Sequence, residues 1–377
     1  MGEYQYYEFL AIDRPLTSDE QEQLRALSTR ARITATGFTN EYQWGNFRGD
    51  PRRIVEQYYD AHLYLANWGT RQVILRLPKG QLPLRALEPY CFDECVEAWT
   101  TETHLFLDLR SEDEGGDWDE GAEDSLGAIA GVRAELASGD YCALYLAWLS
   151  AIGAWALQED DEEAYRAAVE PPVPAGLDRL TAPQRALADF LRVDADLLAV
   201  AARASPPAPA PRKRPGKMEL APLIAALPEK EKNDLLLRLA LGVEPHLGAE
   251  LVRRLRGEPS AVTVPGQRSA AELLDAAHTR ATERRQRADR VRAEARATKL
   301  TALAADEEAI WREVENYVAR KQAARYDTAV ALLVELRDAC DHIGRDLQFR
   351  QRLAALRDQH RHLPGLLRRL DDRALRG

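Results

Sequence analysis

The densest group of side chains that could do chemistry lies between Ser111 and Asp124, where eight of fourteen residues are aspartate or glutamate. We call residues 111–124 the acidic segment. Hard cations such as Ca²⁺ and Mg²⁺ take several carboxylate oxygens from one short loop. Asp117, Asp119 and Glu123 are spaced so that their carboxylates could converge on one such ion, which makes them the candidate metal ligands. The segment lacks the glycine placement and the terminal glutamate of an EF-hand loop, so the spacing alone does not specify a metal site.

The acidic segment can also serve as a docking surface for a basic partner. Runs of like charge are usually solvated or take part in interactions, so docking is preferred here over metal binding. The residues that would form this surface are Glu112, Asp113, Glu114, Asp117, Trp118 and Asp119.

A second candidate surface consists of arginines in a stretch predicted to be helical. Basic side chains along a helix can neutralise the phosphates of a nucleic acid. Acidic residues such as Glu283 and Asp289 are interleaved with them, so the net positive field is modest and a solvated helix face is the alternative. The candidate contact residues are Arg284, Arg285, Arg287 and Arg292.

Two more carboxylates gain significance only from the predicted fold. If the N-terminal sheet is ferredoxin-like, Asp13 ends its first strand and Glu41 lies near the middle hairpin. Palm-type nucleotidyl-transfer enzymes hold two metal ions at such positions. No phosphate-binding lysine or glycine turn accompanies the pair, so the preferred interpretation is that Asp13 caps the turn into Pro15 and Glu41 faces water.

Signatures of common enzymes are absent from the sequence, which contains no GxGxxG, Walker lysine loop, GxSxG or HExxH pattern. Cys91 and Cys95 are four residues apart and His104 follows, but a structural zinc site usually takes four well-spaced ligands. The sequence therefore predicts a protein without catalytic residues and without a bound cofactor.

The charge of the chain changes sign at a proline-rich break. Residues 1–204 carry 18 Lys and Arg against 36 Asp and Glu, a net −18, and residues 205–377 carry 33 against 25, a net +8. This segregation is more typical of interaction than of chemistry. Four cysteines are too few for a disulfide framework and no apolar leader opens the sequence, so we expect a reduced, cytoplasmic protein.

One apolar stretch, Tyr141 to Leu157, approaches the length of a membrane span. Asp140 precedes it and Glu159 follows it, whereas a membrane helix would carry lysine or arginine on one flank. The pattern favours a buried helix of a globular core, and no contact with a membrane is expected.

Hydrophobic periodicity predicts an α+β fold in which a ferredoxin-like N-terminal domain is followed by an all-α arm. Strands are expected at 4–12, 33–38, 41–47, 62–68, 71–77, 96–101 and 104–109, with a hairpin turn at Thr39 and Asn40. Aspartate before proline at Asp50 and Pro51 marks a helix start. The predicted parts are an α+β domain (1–124), a helical extension packed on it (125–204), a proline-rich basic linker (205–217), a small helical segment (218–257), a long charged helix (269–322) and a C-terminal helical bundle (325–377).

Three stretches of the first half resemble one uncharacterised protein family. They are YYEFLAIDRPL at residues 6–16, DAHLYLANWGT at 60–70 and SEDEGGDWD at 111–119. Together they look like a family of hypothetical proteins of actinobacterial type, common in high-GC bacterial genomes. The resemblance spans most of residues 1–204 and implies no particular activity.

The second half is similar to the helical tails of some SWIM zinc-finger proteins, notably from ALPEKEK at residues 226–232 to residue 255 and again at 326–370. The finger itself needs a CxC pair, which this chain does not contain. The resemblance therefore implies a shared helical module, and a SWIM-type protein as a potential partner, but no zinc site.

These observations favour a cytoplasmic, non-enzymatic adaptor or scaffold that mediates protein–protein interaction. The alternative is a nucleic-acid-associated accessory protein that uses the basic helical arm. A metal-dependent phosphoryl-transfer enzyme is the third interpretation. The oligomeric state is left open, because the alanine stripe of the long helix is too thin to specify a dimer.

Overall fold

The structure is a computed structural model that describes residues 3–113, 120–155, 166–209, 216–241, 247–256 and 261–376. It consists of two compact units, Met1–Arg280 and Ala281–Gly377. The division between them does not coincide with the proline-rich break, where the charge changes sign. We describe each unit by itself.

Unit 1 is built on a sheet of seven strands, and all neighbouring strands in it are antiparallel. Their order across the sheet is β2-β3-β1-β4-β5-β7-β6. The strands are β1 (Gln5–Leu10), β2 (Arg32–Ile33), β3 (Gly37–Tyr42), β4 (Ala61–Ala66), β5 (Arg71–Pro78), β6 (Val96–Thr100) and β7 (His104–Ser111).

The first four strands and two helices form the predicted ferredoxin-like arrangement. Helix α1 (Ser18–Leu27) connects β1 to β2, and helix α2 (Pro51–Gln57) connects β3 to β4. This is the β-α-β-β-α-β order of that fold, in which β1 and β3 are the central strands. The α+β class is therefore confirmed, and β5, β6 and β7 extend the sheet beyond β4.

Local sequence signals explain where these two helices begin. Thr17 caps α1 by accepting a hydrogen bond from the Glu20 amide, while the Glu20 carboxylate accepts one from the Thr17 amide. Asp50 caps α2 by accepting from the amides of Arg52 and Arg53. The start of each helix could be located from the sequence, because its capping residue directly precedes the helix in the chain.

The predicted hairpin turn at Thr39 and Asn40 is wrong, because both residues lie inside β3, opposite Glu8 and Tyr7. The Asn40 side chain is buried, and its amide donates to Ser28 Oγ and to the Tyr42 hydroxyl, at 2.8 Å in each case. The actual turn precedes Gly37. An asparagine, a residue type that usually favours turns, is thus accommodated in a strand by two side-chain hydrogen bonds.

The two faces of the sheet carry separate cores. Helices α1 and α2 cover one face, where Phe9, Phe38, Val55 and Phe106 pack together. The other face is covered by a helical extension, with Leu107 of the sheet in its core. That extension comprises α3 (Leu126–Ile129), α4 (Val132–Ala137), α5 (Cys142–Trp155), α6 (Ala182–Phe190) and α7 (Ala195–Ala201).

Helix α5 is the apolar stretch that approaches the length of a membrane span. Its side chains are buried in the core of unit 1, Tyr145 and Leu149 completely. Within the described parts of the chain, no helix is both long enough and apolar enough to cross a membrane.

After α7 the chain leaves the core of unit 1 and later returns to it. The returning strand β9 (Thr263–Val264) pairs with β8 (Val173–Pro174), and between exit and return lie helices α8 (Lys217–Ala226), α9 (Glu229–Leu241) and α10 (Leu247–Arg256). The exit is fixed by the Gly176 amide, which donates to Pro206 O at 2.9 Å. The return is fixed next to it, where the Ala175 amide donates to Val262 O at 2.9 Å. We call residues 216–256 the tethered module.

The prediction of one long helix over residues 269–322 is wrong in its extent. Two helices, α11 (Ala270–Ala305) and α12 (Glu307–Ala319), occupy this stretch and meet at Asp306. Three acidic residues in succession begin at Asp306, and carboxylates favour the first turn of a new helix because its dipole is positive there. The division between the two units falls within α11.

Unit 2 is helical, as predicted for the C-terminal bundle. It contains the end of α11, α12, α13 (Ala323–His342), α14 (Asp346–Gln359) and α15 (Pro364–Asp372). Trp311, Val314, Leu333 and Phe349 are buried at its centre. The ring centroids of Trp311 and Phe349 are 5.7 Å apart, so the one tryptophan of residues 205–377 packs in this core.

Candidate interaction surfaces

The acidic segment is described only at its two ends. Glu114, Asp117, Trp118 and Asp119 lie outside the described residues. At the first end, Glu112 forms an ion pair with Arg110, and the Asp113 amide donates to Gly69 O at 3.3 Å. The docking surface on these residues stays a prediction.

The candidate metal ligand Glu123 has another role. Its Oε1 accepts a hydrogen bond from the Tyr4 hydroxyl at 2.8 Å. Burial and this carboxylate raise the pKa of Tyr4. The bond joins the end of the acidic segment to the chain just before β1, and within the described parts of the chain no three His, Cys, Asp or Glu side chains form a group that could hold a metal ion.

The sheet does not bring Asp13 and Glu41 together. Glu41 lies opposite Tyr6 in the β1–β3 pair. From Tyr6 to Leu10 alone the strand covers about 13 Å, and Asp13 lies beyond Leu10. The arrangement that a palm-type metal site requires is therefore not present.

Asp13 instead belongs to a buried ion network that joins the ferredoxin-like part to the helical extension. Its carboxylate accepts two hydrogen bonds from Arg133 of α4, at 3.0 and 2.8 Å. Asp60 accepts from Arg76 at 2.8 Å and from the amides of Ile12 and Asp13 at 2.6 and 2.8 Å. Two carboxylates and two guanidinium groups thus neutralise one another, which indicates a structural role.

The candidate arginines of α11 do not lie along a single line of the helix. Residues turn about 100° per position on a helix, so Arg285 and Arg292 share a side while Arg287 points away from both. All three are exposed, and so is Arg284. Arg292 lies 3.6 Å from the Asp289 carboxylate, its neighbour one turn before. The four candidate arginines thus cover about half of the helix circumference, with one of them beside an aspartate.

A surface that the sequence analysis missed lies in the tethered module. Its three helices enclose an apolar groove of about 300 Å³, lined by Ile224, Leu227, Leu235, Leu239, Leu247 and Leu251 among others. Lys232 is the only charged side chain in the lining, and its ammonium donates to Ala225 O at 2.7 Å. Apart from this ammonium group, the lining side chains have no polar atom that could recognise a polar ligand.

Helix α9 of the module exposes leucines on more than one side. Leu236, Leu237, Leu239 and Leu241 are 62%, 60%, 64% and 65% exposed, whereas Leu235 is buried. Leu236 and Leu239 lie at the groove, and Leu237 and Leu241 lie on the other side of the helix. The sequence signal was the run LLLRLAL at residues 235–241, because a helix that is apolar all round is normally buried.

Comparisons with known proteins return no relative. No family model matches the chain, and neither a curated protein nor a solved structure matches it.

Proposed function

We propose that this protein is a non-enzymatic adaptor whose tethered module docks an amphipathic helix of a partner protein. The observation that carries the proposal is the set of exposed leucines of α9 beside the apolar groove. Soluble proteins seldom leave such a helix uncovered, and large exposed apolar patches mark interaction sites.

The chemistry of the groove favours a helix as its occupant. Its lining is apolar except for the Lys232 ammonium, so packing must supply most of the recognition. A polar metabolite or a nucleic acid would leave most of its own polar groups without partners there. An amphipathic helix that places apolar residues at positions i, i+3 or i+4 and i+7 fits a groove between helices.

The exposed leucines set the scale of the affinity. Fully burying a leucine contributes about 1.5–3 kcal/mol, so covering the exposed part of each contributes about 1–2 kcal/mol. The two exposed leucines at the groove, Leu236 and Leu239, supply on the order of 2–4 kcal/mol before the cost of association is subtracted. Together with the rest of the apolar lining they are expected to give a reversible complex with a Kd of about 1 μM or weaker.

The adaptor is proposed to act in the cytoplasm. All four cysteines are free thiols, including the exposed Cys91, which suits a reducing compartment. A SWIM zinc-finger protein is the first partner to test, given the resemblance of the second half to the tails of such proteins.

Site-specific photocrosslinking tests the proposal. A benzophenone amino acid replaces Leu239 in the full-length protein, which is crosslinked in cells, and the adducts are mapped by mass spectrometry. We expect adducts on one partner, within a segment that has apolar residues at helical spacing. Leu236→Glu should abolish them, whereas Leu237→Glu, the same change on the other side of α9, should leave them.

Two results would contradict the proposal. Adducts confined to a second copy of this chain would replace the partner helix with self-association. Adducts scattered over many unrelated proteins, and unchanged by Leu236→Glu, would show that the groove has no specific occupant.

A further inference from the structure

The sheet of unit 1 ends in an edge strand whose outer side is open. Strand β6 pairs with β7 on one side only. At the connecting turn, the Thr101 amide donates to His104 O at 2.9 Å. Since antiparallel pairs alternate, the backbone groups of Trp99 also bond to β7, and those of Ala98 and Thr100 point away from the sheet.

A short segment of the chain itself confirms this alternation. Val96 lies two residues before Ala98, so its backbone groups also point outward. They exchange two hydrogen bonds with Phe92, each of 3.1 Å. The outer side of β6 therefore already accepts one residue in antiparallel pairing. Beyond it, in the part of the chain that the structure describes, the outward amides and carbonyls of Ala98 and Thr100 have no backbone partner.

Between Ala98 and Thr100, strand β6 lacks the lysine, proline or bulge that protects many edges. Proteins block exposed edges with lysine, proline, a bulge or a covering element. The sequence of β6 is VEAWT, and its pairing with β7 runs without a bulge from Val96 to Thr100. A cavity of about 690 Å³ lies along the strand, lined by Cys91, Phe92, Val96, Ala98 and Trp99 among others.

The charges around this cavity are predominantly negative. Glu56, Asp93 and Glu97 line it, and Arg52 is the only basic residue in the lining. That guanidinium already bonds to Asp108 at 2.8 Å and to Glu97. Burial raises the pKa of the Cys91 thiol, and the nearby carboxylates of Glu88 and Glu97 raise it further. An incoming chain therefore meets carboxylates that favour lysine and arginine.

We propose that the outer side of β6 binds an extended, basic segment of another protein, which adds to the sheet as an eighth strand. The outward groups of Ala98 and Thr100 supply the main-chain hydrogen bonds. Side chains of an added strand alternate between the two faces of the sheet. Those on the side of Glu97 are basic, and those on the side of Ala98 are small or apolar.

The test uses a probe of defined sequence and the full-length protein. The probe is a capped seven-residue peptide of alternating lysine and valine, and its control has glutamate in place of lysine. Amide hydrogen exchange is followed residue by residue by NMR. We expect the lysine peptide to slow exchange of the Ala98 and Thr100 amides at least tenfold, and the glutamate peptide to leave it unchanged.

Substitutions locate the binding on the edge. Ala98→Pro removes an outward amide while leaving the bonds to β7, so the peptide should bind at least tenfold more weakly. Ala98→Gly keeps that amide and should bind within threefold of the original protein. Thr100→Pro repeats the test at the other outward position, in case the first proline variant does not fold.

Three results would overturn the proposal. The first is unchanged exchange at Ala98 and Thr100 with millimolar lysine peptide. The second is equal binding of the two peptides, which would remove the argument from charge. The third is undiminished binding to both proline variants, which would place the peptide elsewhere on the molecule.

Discussion

Replacing His62 with phenylalanine should change the pH dependence of the stability of unit 1 by about 2 kcal/mol between pH 8 and pH 5. The imidazole of His62 is completely buried, and its ring centroid lies 4.1 Å from that of Phe9. Its Nδ1 donates to Glu8 O at 2.8 Å, because a carbonyl can only accept. Nε2 is buried without a hydrogen-bond partner. Burial lowers the pKa of His62 from 6.5 to about 3.

The sign and size of the effect follow from proton linkage. The folded pKa lies below the unfolded value, so the contribution to stability is complete above pH 6.5 and is lost as the pH falls toward 3. At pH 5 the unfolded state binds a proton that the folded state does not, which costs about 2 kcal/mol relative to pH 8. Burial raises the pKa values of the adjacent phenols of Tyr7, Tyr59 and Tyr64, so these groups stay neutral throughout the range.

The assay compares the original protein with His62→Phe at pH 8 and pH 5. Urea unfolding is followed by pulse proteolysis, and fragments of residues 1–280 are quantified by mass spectrometry, so that unit 1 is measured separately. His62→Phe also loses the bond to Glu8 O, but that loss is independent of pH and cancels in the comparison. The unfolding free energy at pH 5 minus that at pH 8 should be about 2 kcal/mol higher in His62→Phe than in the original protein. Equal values of this difference would show that the buried site accepts an imidazolium, and the argument would be wrong.

Further predictions concern other parts of the molecule. Arg133→Met removes a partner of two buried carboxylates, so the same assay should show a loss of about 3–5 kcal/mol. Gly266→Ala places a Cβ 2.1 Å from Glu170 O, where backbone must shift, and should lower the unfolding free energy of unit 1 by about 1–3 kcal/mol. Burial raises the pKa of Glu8 from 4.5 to about 7, so ionisation of this carboxyl group destabilises the fold as the pH rises from 4.5 to 7. In urea unfolding, the free energy of unfolding of Glu8→Gln relative to the original protein should therefore increase over the same pH interval. Leu333→Ala leaves a cavity in the core of unit 2 and should cost about 2–5 kcal/mol, measured on fragments of residues 281–377.

The sequence predicts the elements whose signals are local. The helix start at Asp50 and the buried helix α5 both follow from adjacent residues. Asn40 misleads because its amide is satisfied by the hydroxyl groups of Tyr42 in the same strand and of Ser28, twelve residues earlier. The bond to Ser28 forms only in the folded protein and is not indicated by the residues next to Asn40.

The candidate surfaces were harder to predict than the fold. Asp13 has the residue type of a metal ligand, yet its partner Arg133 comes from a helix 120 residues later. The leucine run of α9 looked like any short core helix, and only the structure shows how few neighbours cover it. Residue types indicate what a site could bind, whereas the long-range contacts decide whether the side chains are available.

The two points at which the tethered module is attached to the rest of unit 1 lie next to each other, and this determines how unfolding of the module would affect the stability of unit 1. The chain leaves at Pro206 and returns at Val262, and both bond to consecutive amides. If the module unfolds, unit 1 must close a loop of about fifty residues, and each doubling of such a loop costs only about 0.6 kcal/mol. The module is therefore an exchangeable insertion. Shortening, lengthening or replacing the module should leave the sheet and its two cores folded.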